Sequence, residues 1–112
     1  MKGKQVALMR IHIGERDRWD GKPLYRAIVE LLRLRGFRGA TVLRGIMGFG
    51  GSSIIHTSSI LRLSEDLPIV IEVIDEEEKI REILPELERM IEGGIVTLER
   101  VSVVIDRKHG EK

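Results

Sequence analysis

The segment GIMGFGGSS, residues 45–53, contains residue types that bind phosphate groups through backbone amides and hydroxyls. Four glycines leave its backbone open to a close approach, and Ser52 and Ser53 follow them. It is not a dinucleotide fingerprint, because Ser53 stands where a third glycine is required, and it lacks the Gly-Lys-Ser/Thr ending of a Walker loop. Two interpretations remain open. The segment is either a backbone nest that binds an anion or a bulged strand end that serves as the hinge of a mobile loop.

Other residue types that support catalysis or metal binding are sparse. The three histidines, His12, His56 and His109, have no metal-ligand spacing, and His56 is the one we would test as a ligand or loop anchor. The absence of cysteine excludes disulfides, zinc–thiolate sites and thiol catalysis. The serines near His56 belong to no arrangement that activates a nucleophile. We therefore expect a protein that is not an enzyme.

The composition limits the class of protein further. A chain of 112 residues is the size of one domain, and we expect residues 1–112 to form it, ordered over about 4–105 with a tail at 106–112. Lys and Arg outnumber Asp and Glu by only 19 to 18, which argues against a nucleic-acid binder. Without a signal peptide or a long apolar run, we expect a cytoplasmic protein that does not insert into a membrane. A chain with no asparagine, one glutamine and a third of its residues charged is typical of a heat-adapted source.

The first half of the chain has the pattern strand, helix, strand. Residues 4–13 are rich in β-forming residues and predict a strand. A helix is predicted to follow, with Asp20 as its cap, Pro23 in its first turn and Gly36 at its end. Residues 40–47 predict a second strand, which ends in the glycine cluster. The apolar face of the helix has helical spacing and consists of Leu24, Ala27, Ile28, Leu31 and Leu32.

The second half repeats this pattern after a polar loop at 48–66. Residues 68–74 predict a third strand, and Asp75 with Glu78 forms a capping pattern for a second helix. Pro85 lies inside that helix and predicts a kink or two short helices end to end. A last strand is predicted at 95–105, after the two glycines that stop the helix. The apolar stripe of this helix consists of Ile80, Ile83, Leu84, Leu87 and Ile91.

The order βαββαβ predicts an α+β, ferredoxin-like fold, in which two helices cover one face of a four-stranded antiparallel sheet. If the helices cover Met9 and Ile11, then Val6 and Leu8 point outward together with Arg10 and His12. The third strand also has apolar residues on both faces. Because no helix remains to cover the second face, we expect another subunit to do so.

The stretch RAIVELLRLRGFRGATVLRGIMGFG, residues 26–50, resembles PII signalling proteins and their relatives. In that superfamily the first helix ends in a glycine, as at Gly36, and a G-x-T-V strand follows, as at 39–42. A Gly-x-Gly turn, matched by Gly48 and Gly50, then opens a long flexible loop. A wider resemblance, over about residues 5–105, is to a small PII-like family of prokaryotes, and it implies the same βαββαβ fold.

The resemblance implies a homotrimer whose open sheet faces pack toward the three-fold axis and whose subunit clefts bind an adenine nucleotide. AMP or ADP is favoured over ATP, because residues 91–101 lack the Arg and Gly-Asp-Gly-Lys of PII. The loop at 48–66 would act on a protein target, such as a membrane transporter or an enzyme. It contains no tyrosine for uridylylation, since the only tyrosine is Tyr25. No further cofactor is implied.

The nucleotide site implied in this way combines the glycine cluster with nearby cations. The expected residues are Arg44, Gly48, Phe49, Gly50, Gly51, Ser52, Ser53 and Arg100. Two alternatives remain. One is a structural or interaction trimer whose glycines serve only loop mobility. The other is a metal-ion-responsive trimer of the copper-tolerance type, which the lack of cysteine supports poorly.

Overall fold

A computed structural model of the chain describes residues 1, 3–50, 56–57 (backbone only) and 66–109. The two helices are α1, Leu24–Leu34, and α2, Glu77–Met90. The long strands are β1, Val6–Gly14, and β7, Pro68–Glu76. The shorter strands are β2, Arg18–Trp19; β3, Lys22–Pro23; β4, Thr41–Arg44; β5, Met47–Gly48; β6, His56–Thr57; and β8, Ile95–Arg100.

The main sheet has four strands in the order β4-β7-β1-β8, and all three pairings are antiparallel. With one helix after β1 and one after β7, this confirms the predicted α+β, ferredoxin-like fold. Two small hairpins were not predicted. One pairs β2 with β3 inside the charged loop before α1, and the other pairs β5 with β6 at the start of the long loop.

The core lies between the helices and one face of the sheet. Alternate residues of β1 and β7 point into it, as the period of two in a half-covered strand requires. Burial of each large apolar side chain contributes about 1.5–3 kcal/mol. The buried residues of β1 and β7 are Ala7, Met9, Ile11, Ile13, Ile69, Ile71 and Val73, and those of the helices are Leu24, Ala27, Ile28, Leu32, Ile80, Ile83, Leu87 and Met90.

Both predicted helix caps are wrong. Asp20 has a φ of 50° in the β2–β3 hairpin, and Pro23 is the N-cap of α1. Asp75 lies within β7, and Glu76 is the N-cap of α2, because β7 stays paired with β1 as far as the pair of Val6 and Glu76. Neither helix, both of which lie wholly in the described chain, has a side-chain hydrogen bond at its N-cap.

Asp75 instead fixes the turn that joins α1 to β4. Its buried carboxylate accepts the backbone N–H of Arg38 at 3.0 Å and that of Glu76 at 2.7 Å. Lys79, whose Nζ lies 3.4 Å from Asp75 Oδ1, also donates to the carbonyl of Gly36 at 3.0 Å. A buried carboxylate is tolerated because these donors replace the water it loses.

Two element boundaries differ from the prediction. Helix α2 is one continuous helix through Pro85, so the predicted alternative of two short helices end to end is wrong. Strand β8 ends at Arg100 and does not extend to 105. Beyond it, Asp106 is held by Arg38, with Nη1 to Oδ2 at 2.6 Å, so the predicted tail begins with a fixed residue.

The sheet face opposite the helices has a charged centre and apolar margins. Arg10 donates from Nε to Glu72 at 3.0 Å and from Nη1 to Glu99 at 2.6 Å, which joins β7, β1 and β8. Leu8 is partly exposed, as expected, but Val6 is only 8% exposed. Val6 is not left open because the segment after β8 runs beside it, where the N–H of Val101 bonds its carbonyl at 3.1 Å. The exposed apolar side chains of this face are Leu43, Ile74 and Ile95.

Candidate functional site

Three chain segments meet where β7 begins: residues 14–16, 44–50 and 66–68, which we call the loop base. Gly14 in β1 is paired with Pro68 in β7, and Arg44 in β4 is paired with Ile69 in β7. The N–H of Gly45 bonds the carbonyl of Pro68 at 2.7 Å. The loop base therefore brings four of the eight predicted site residues, Arg44, Gly48, Phe49 and Gly50, next to the strand that follows the long loop.

The close approach to the glycine cluster is made by the chain's own Pro68. A Cβ on Gly48 would lie 2.6 Å from Pro68 Cγ, and one on Gly45 would lie 3.4 Å from the same atom. At Gly50 an added Cβ would meet nothing within 4 Å among the described residues. Packing against the proline ring thus explains Gly48 without a ligand, whereas it does not explain Gly50.

The torsions of the cluster bear on the anion-nest interpretation. Positive φ occurs at four of the glycines that the structure describes, and Gly48 and Gly50 are not among them. A nest alternates right-handed and left-handed residues. The described part of the cluster therefore does not have the torsions of a nest. Gly51, Ser52 and Ser53 lie outside the described residues.

The first turn of the long loop is closed by a short pairing. Met47 is paired with Thr57 and Gly48 with His56, so the backbone of His56 lies directly opposite Gly48. At the other end of the loop, Asp66 Oδ1 accepts the N–H of Arg16 at 2.8 Å. These two contacts hold the two ends of the loop, and no pattern in the sequence predicted either of them.

A close contact also explains why residue 14, at the loop base, is a glycine. A Cβ there would lie 2.7 Å from Asp66 Oδ1. The sequence gives no signal for this contact, because residues 14 and 66 are far apart in the chain and no motif contains them both. A side chain at position 14 would therefore require the Asp66 carboxylate to shift.

Arg44 is the predicted phosphate ligand that the structure places at the loop base. Its side chain is 61% exposed, and Nη1 donates to Glu15 Oε2 at 2.8 Å. Phe49, a few residues on, is 71% exposed, and Ile46 and Met47 are exposed as well. An exposed guanidinium thus lies in the same segment as an exposed aromatic ring.

Arg100 lies at the opposite end of the sheet. Arg100 is paired with Ala7, and Ala7 is paired with Asp75. Asp75 lies six positions along β7 from Ile69, the partner of Arg44. At about 3.3 Å per residue, the two arginines are anchored about 20 Å apart along the strand direction, and they also lie on opposite edge strands of the sheet. Within one chain, Arg100 therefore does not join the loop base.

Arg100 has a partner of its own at that end. Its Nε donates to Glu77 at 2.9 Å, and Arg81 donates to the other oxygen of Glu77 at 2.8 Å. The hydrogen bonds from Arg100 and then from Arg81 hold the pKa of Glu77 below its ordinary value. The arrangement is an ion-pair cluster that ties the start of α2 to β8.

Comparison with known proteins identifies the family. The model of DUF190, described as "Uncharacterized ACR, COG1993", matches residues 6–103. The chain belongs to the DUF190 family. This family is a member of the PII-like superfamily, which confirms the resemblance seen in the sequence. The match runs from β1 to beyond β8, so it includes the whole ferredoxin-like sheet and both helices.

Two relatives in the DUF190 family cover most of the chain. A UPF0166 protein of Aquifex aeolicus is 41% identical over 104 residues, which is 93% of this chain and 98% of that protein. The UPF0166 protein MJ1524 of Methanocaldococcus jannaschii is 38% identical over 90 residues, which is 80% of this chain and 82% of that protein.

Neither helix of the described chain has the length and apolar character needed to cross a membrane.

Gly48→Ala is expected to lower the free energy of unfolding by about 1–3 kcal/mol, because the new methyl group overlaps the Pro68 ring. Urea unfolding at constant protein concentration measures the loss. Gly50→Ala is the matched control and should change the stability by less than about 0.5 kcal/mol. Equal losses in the two variants would contradict the packing explanation.

Glu77→Gln is expected to remove part of the acid sensitivity of the fold. Because the folded-state pKa of Glu77 is lowered, its ion pairs stabilise the protein above the ordinary glutamate pKa of about 4.3, and this contribution is lost as the pH falls through the folded-state pKa. Urea unfolding between about pH 7 and pH 3 should therefore show a wild-type advantage that shrinks toward low pH. Glu88→Gln, on the exposed side of the same helix, is the control. A constant difference between Glu77→Gln and wild type across this range would contradict the assignment.

Proposed function

We propose that this chain is a non-catalytic PII-like regulatory protein, a cytoplasmic homotrimer that binds an adenine nucleotide in the clefts between subunits. The loop at 48–66 would transmit the bound state to a protein target, such as a transporter or an enzyme. The observation that carries the proposal is the loop base, where the exposed guanidinium of Arg44 and the exposed ring of Phe49 lie in one short segment. Membership of the PII-like superfamily supports the choice of ligand.

The chemistry of these side chains suits a nucleotide. A guanidinium binds phosphate oxygens through paired, charge-assisted hydrogen bonds, and an apolar surface accepts the face of a base. Phe49, Ile46 and Met47 are all exposed in the single chain. A ligand site buries most of its ligand, so this surface needs a second wall, which a neighbouring subunit would provide.

The open face of the sheet supports the trimer. Leu43, Ile74 and Ile95 expose apolar surface there, around the ion pairs of Arg10. Exposed apolar surface on a sheet face is typical of an interface. Arg10 is already paired with two carboxylates, so the charged centre could be covered by another subunit without leaving an unpaired cation.

The preference for AMP or ADP over ATP is supported by residues 91–101, which lack the Arg and Gly-Asp-Gly-Lys of PII. Arg44 is at the loop base, whereas Arg100 of the same chain is anchored about 20 Å away along the strand direction and is paired with Glu77. A triphosphate needs several cations to offset its charge, and a shorter phosphate chain needs fewer. The site proposed here therefore consists of Arg44, Phe49 and the backbone from Gly48 to Gly50.

A structural or interaction trimer remains the second candidate, because one observation favours it. The Pro68 ring accounts for Gly48 without any ligand, and the β5–β6 pairing accounts for the turn itself. In that case the glycines serve only the packing and mobility of the loop. The two candidates differ in whether a nucleotide binds.

Calorimetric titration with AMP, ADP, ATP and cyclic AMP tests the nucleotide site. We expect AMP or ADP to bind more tightly than ATP, and Arg44→Ala to weaken that binding by about 1.5–3 kcal/mol, because a hydrogen bond to a charged group is lost. Arg89→Ala, which removes an exposed arginine of α2, is the matched control and should bind as wild type does. No heat of binding with all four nucleotides would leave the structural trimer as the remaining candidate.

Sedimentation of Ile95→Glu tests the assembly surface. Ile95 is 64% exposed on the open sheet face, so a carboxylate is harmless in a monomer, whereas in a trimer it would be buried near two copies of itself. We expect wild type to sediment as a trimer and Ile95→Glu as a folded monomer. Leu34→Glu, at an 82% exposed position on the helix layer, should remain trimeric. A trimeric Ile95→Glu would place the interface elsewhere.

A further inference from the structure

The carboxylate of Glu15 forms an ion pair with the guanidinium of Arg44. The two residues are 29 positions apart, and the ends of two strands that flank β7 bring them together. The backbone of each is fixed: the N–H of Glu15 bonds the carbonyl of Leu67 at 2.8 Å, and Arg44 is paired with Ile69 in the sheet. The contact is therefore set by the register of the sheet and not by two freely moving surface side chains.

The contact has the chemistry of a replaceable anion. A guanidinium binds carboxylates and phosphates with the same fork of N–H groups, and a phosphate offers more charge and more acceptor oxygens. Glu15 holds Nη1 of Arg44 at 2.8 Å, while the Arg44 side chain remains mostly exposed. An exposed ion pair adds little stability, so a phosphate can displace the carboxylate at small cost.

We propose that Glu15 sets the affinity of the nucleotide site for phosphorylated ligands, because its carboxylate occupies the position on Arg44 that the ligand's phosphate would take. A ligand without a phosphate gains nothing from Arg44, because it cannot replace the carboxylate. A phosphorylated ligand must displace Glu15, so Glu15 also lowers the affinity and sets the ligand concentration at which the site fills. This inference rests on the proposed function and adds that Glu15 competes with the ligand's phosphate for Arg44.

Titration of wild type, Glu15→Gln, Arg44→Ala and the double variant with AMP, ADP and adenosine tests this inference. Glutamine keeps the shape of Glu15 and removes its charge, so Glu15→Gln should bind AMP and ADP roughly threefold to tenfold more tightly, as expected from the strength of an exposed ion pair. Its behaviour with adenosine should equal that of wild type. The double variant should bind no better than Arg44→Ala alone, because Glu15 acts through Arg44.

Glu30→Gln is the matched control, since Glu30 also holds a cation across an exposed surface, with Oε1 at 2.7 Å from Lys22, but lies in α1 away from the loop base. It should leave every affinity unchanged. Thermal melting of each variant without ligand confirms that it is folded.

The outcomes separate this inference from the proposed function. If wild type and Glu15→Gln both fail to bind AMP, ADP and adenosine, the proposed function falls, and the inference falls with it. If wild type binds AMP and Glu15→Gln binds it equally, the inference alone is overturned. A gain that extends to adenosine, or that persists in the double variant, also overturns it, because Glu15 would then act on something other than the phosphate on Arg44.

Discussion

The register between β1 and β7 determines most of this structure. Nine residue pairs, from Val6 with Glu76 to Gly14 with Pro68, fix these two strands against each other. Because side chains alternate along a strand, this one register places Met9 in the core, Arg10 opposite Glu72 on the open face, and the end of β1 beside the start of β7. A shift of one residue would exchange the two faces and separate the segments of the loop base.

The loop base that results is held by close contacts more than by special torsions. Segment 66–68 approaches Gly14 through the carboxylate of Asp66 and Gly48 through the ring of Pro68. Both glycines are needed because the neighbour leaves no room for a side chain. Such contacts fix the described ends of the long loop, and this is the arrangement expected of a loop whose ends must stay in register with a sheet.

The two faces of the sheet are stabilised by different interactions. The helix face is apolar and carries the core, whereas the open face centres on Arg10 between Glu72 and Glu99, with apolar side chains such as Ile95 around it. In the proposed trimer, the paired charge of Arg10 would contribute more to the choice of partner than to affinity, and the apolar margin would supply the free energy of association. A surface of this kind suits association of identical copies in one orientation.

Local pattern in the sequence was sufficient for the two helices, the four strands of the main sheet and the βαββαβ order, because periodicity and end signals such as Gly36 act within a single element. The PII-like family was recognised by resemblance and not by these patterns. The sequence also located the glycine cluster and Arg44. The tertiary structure alone decided that Asp75 holds the turn at Arg38, that Arg44 meets Glu15, and that Arg100 lies at the far end of the sheet. Each of these depends on strand register and on the approach of segments 20 or more residues apart, which no local pattern encodes.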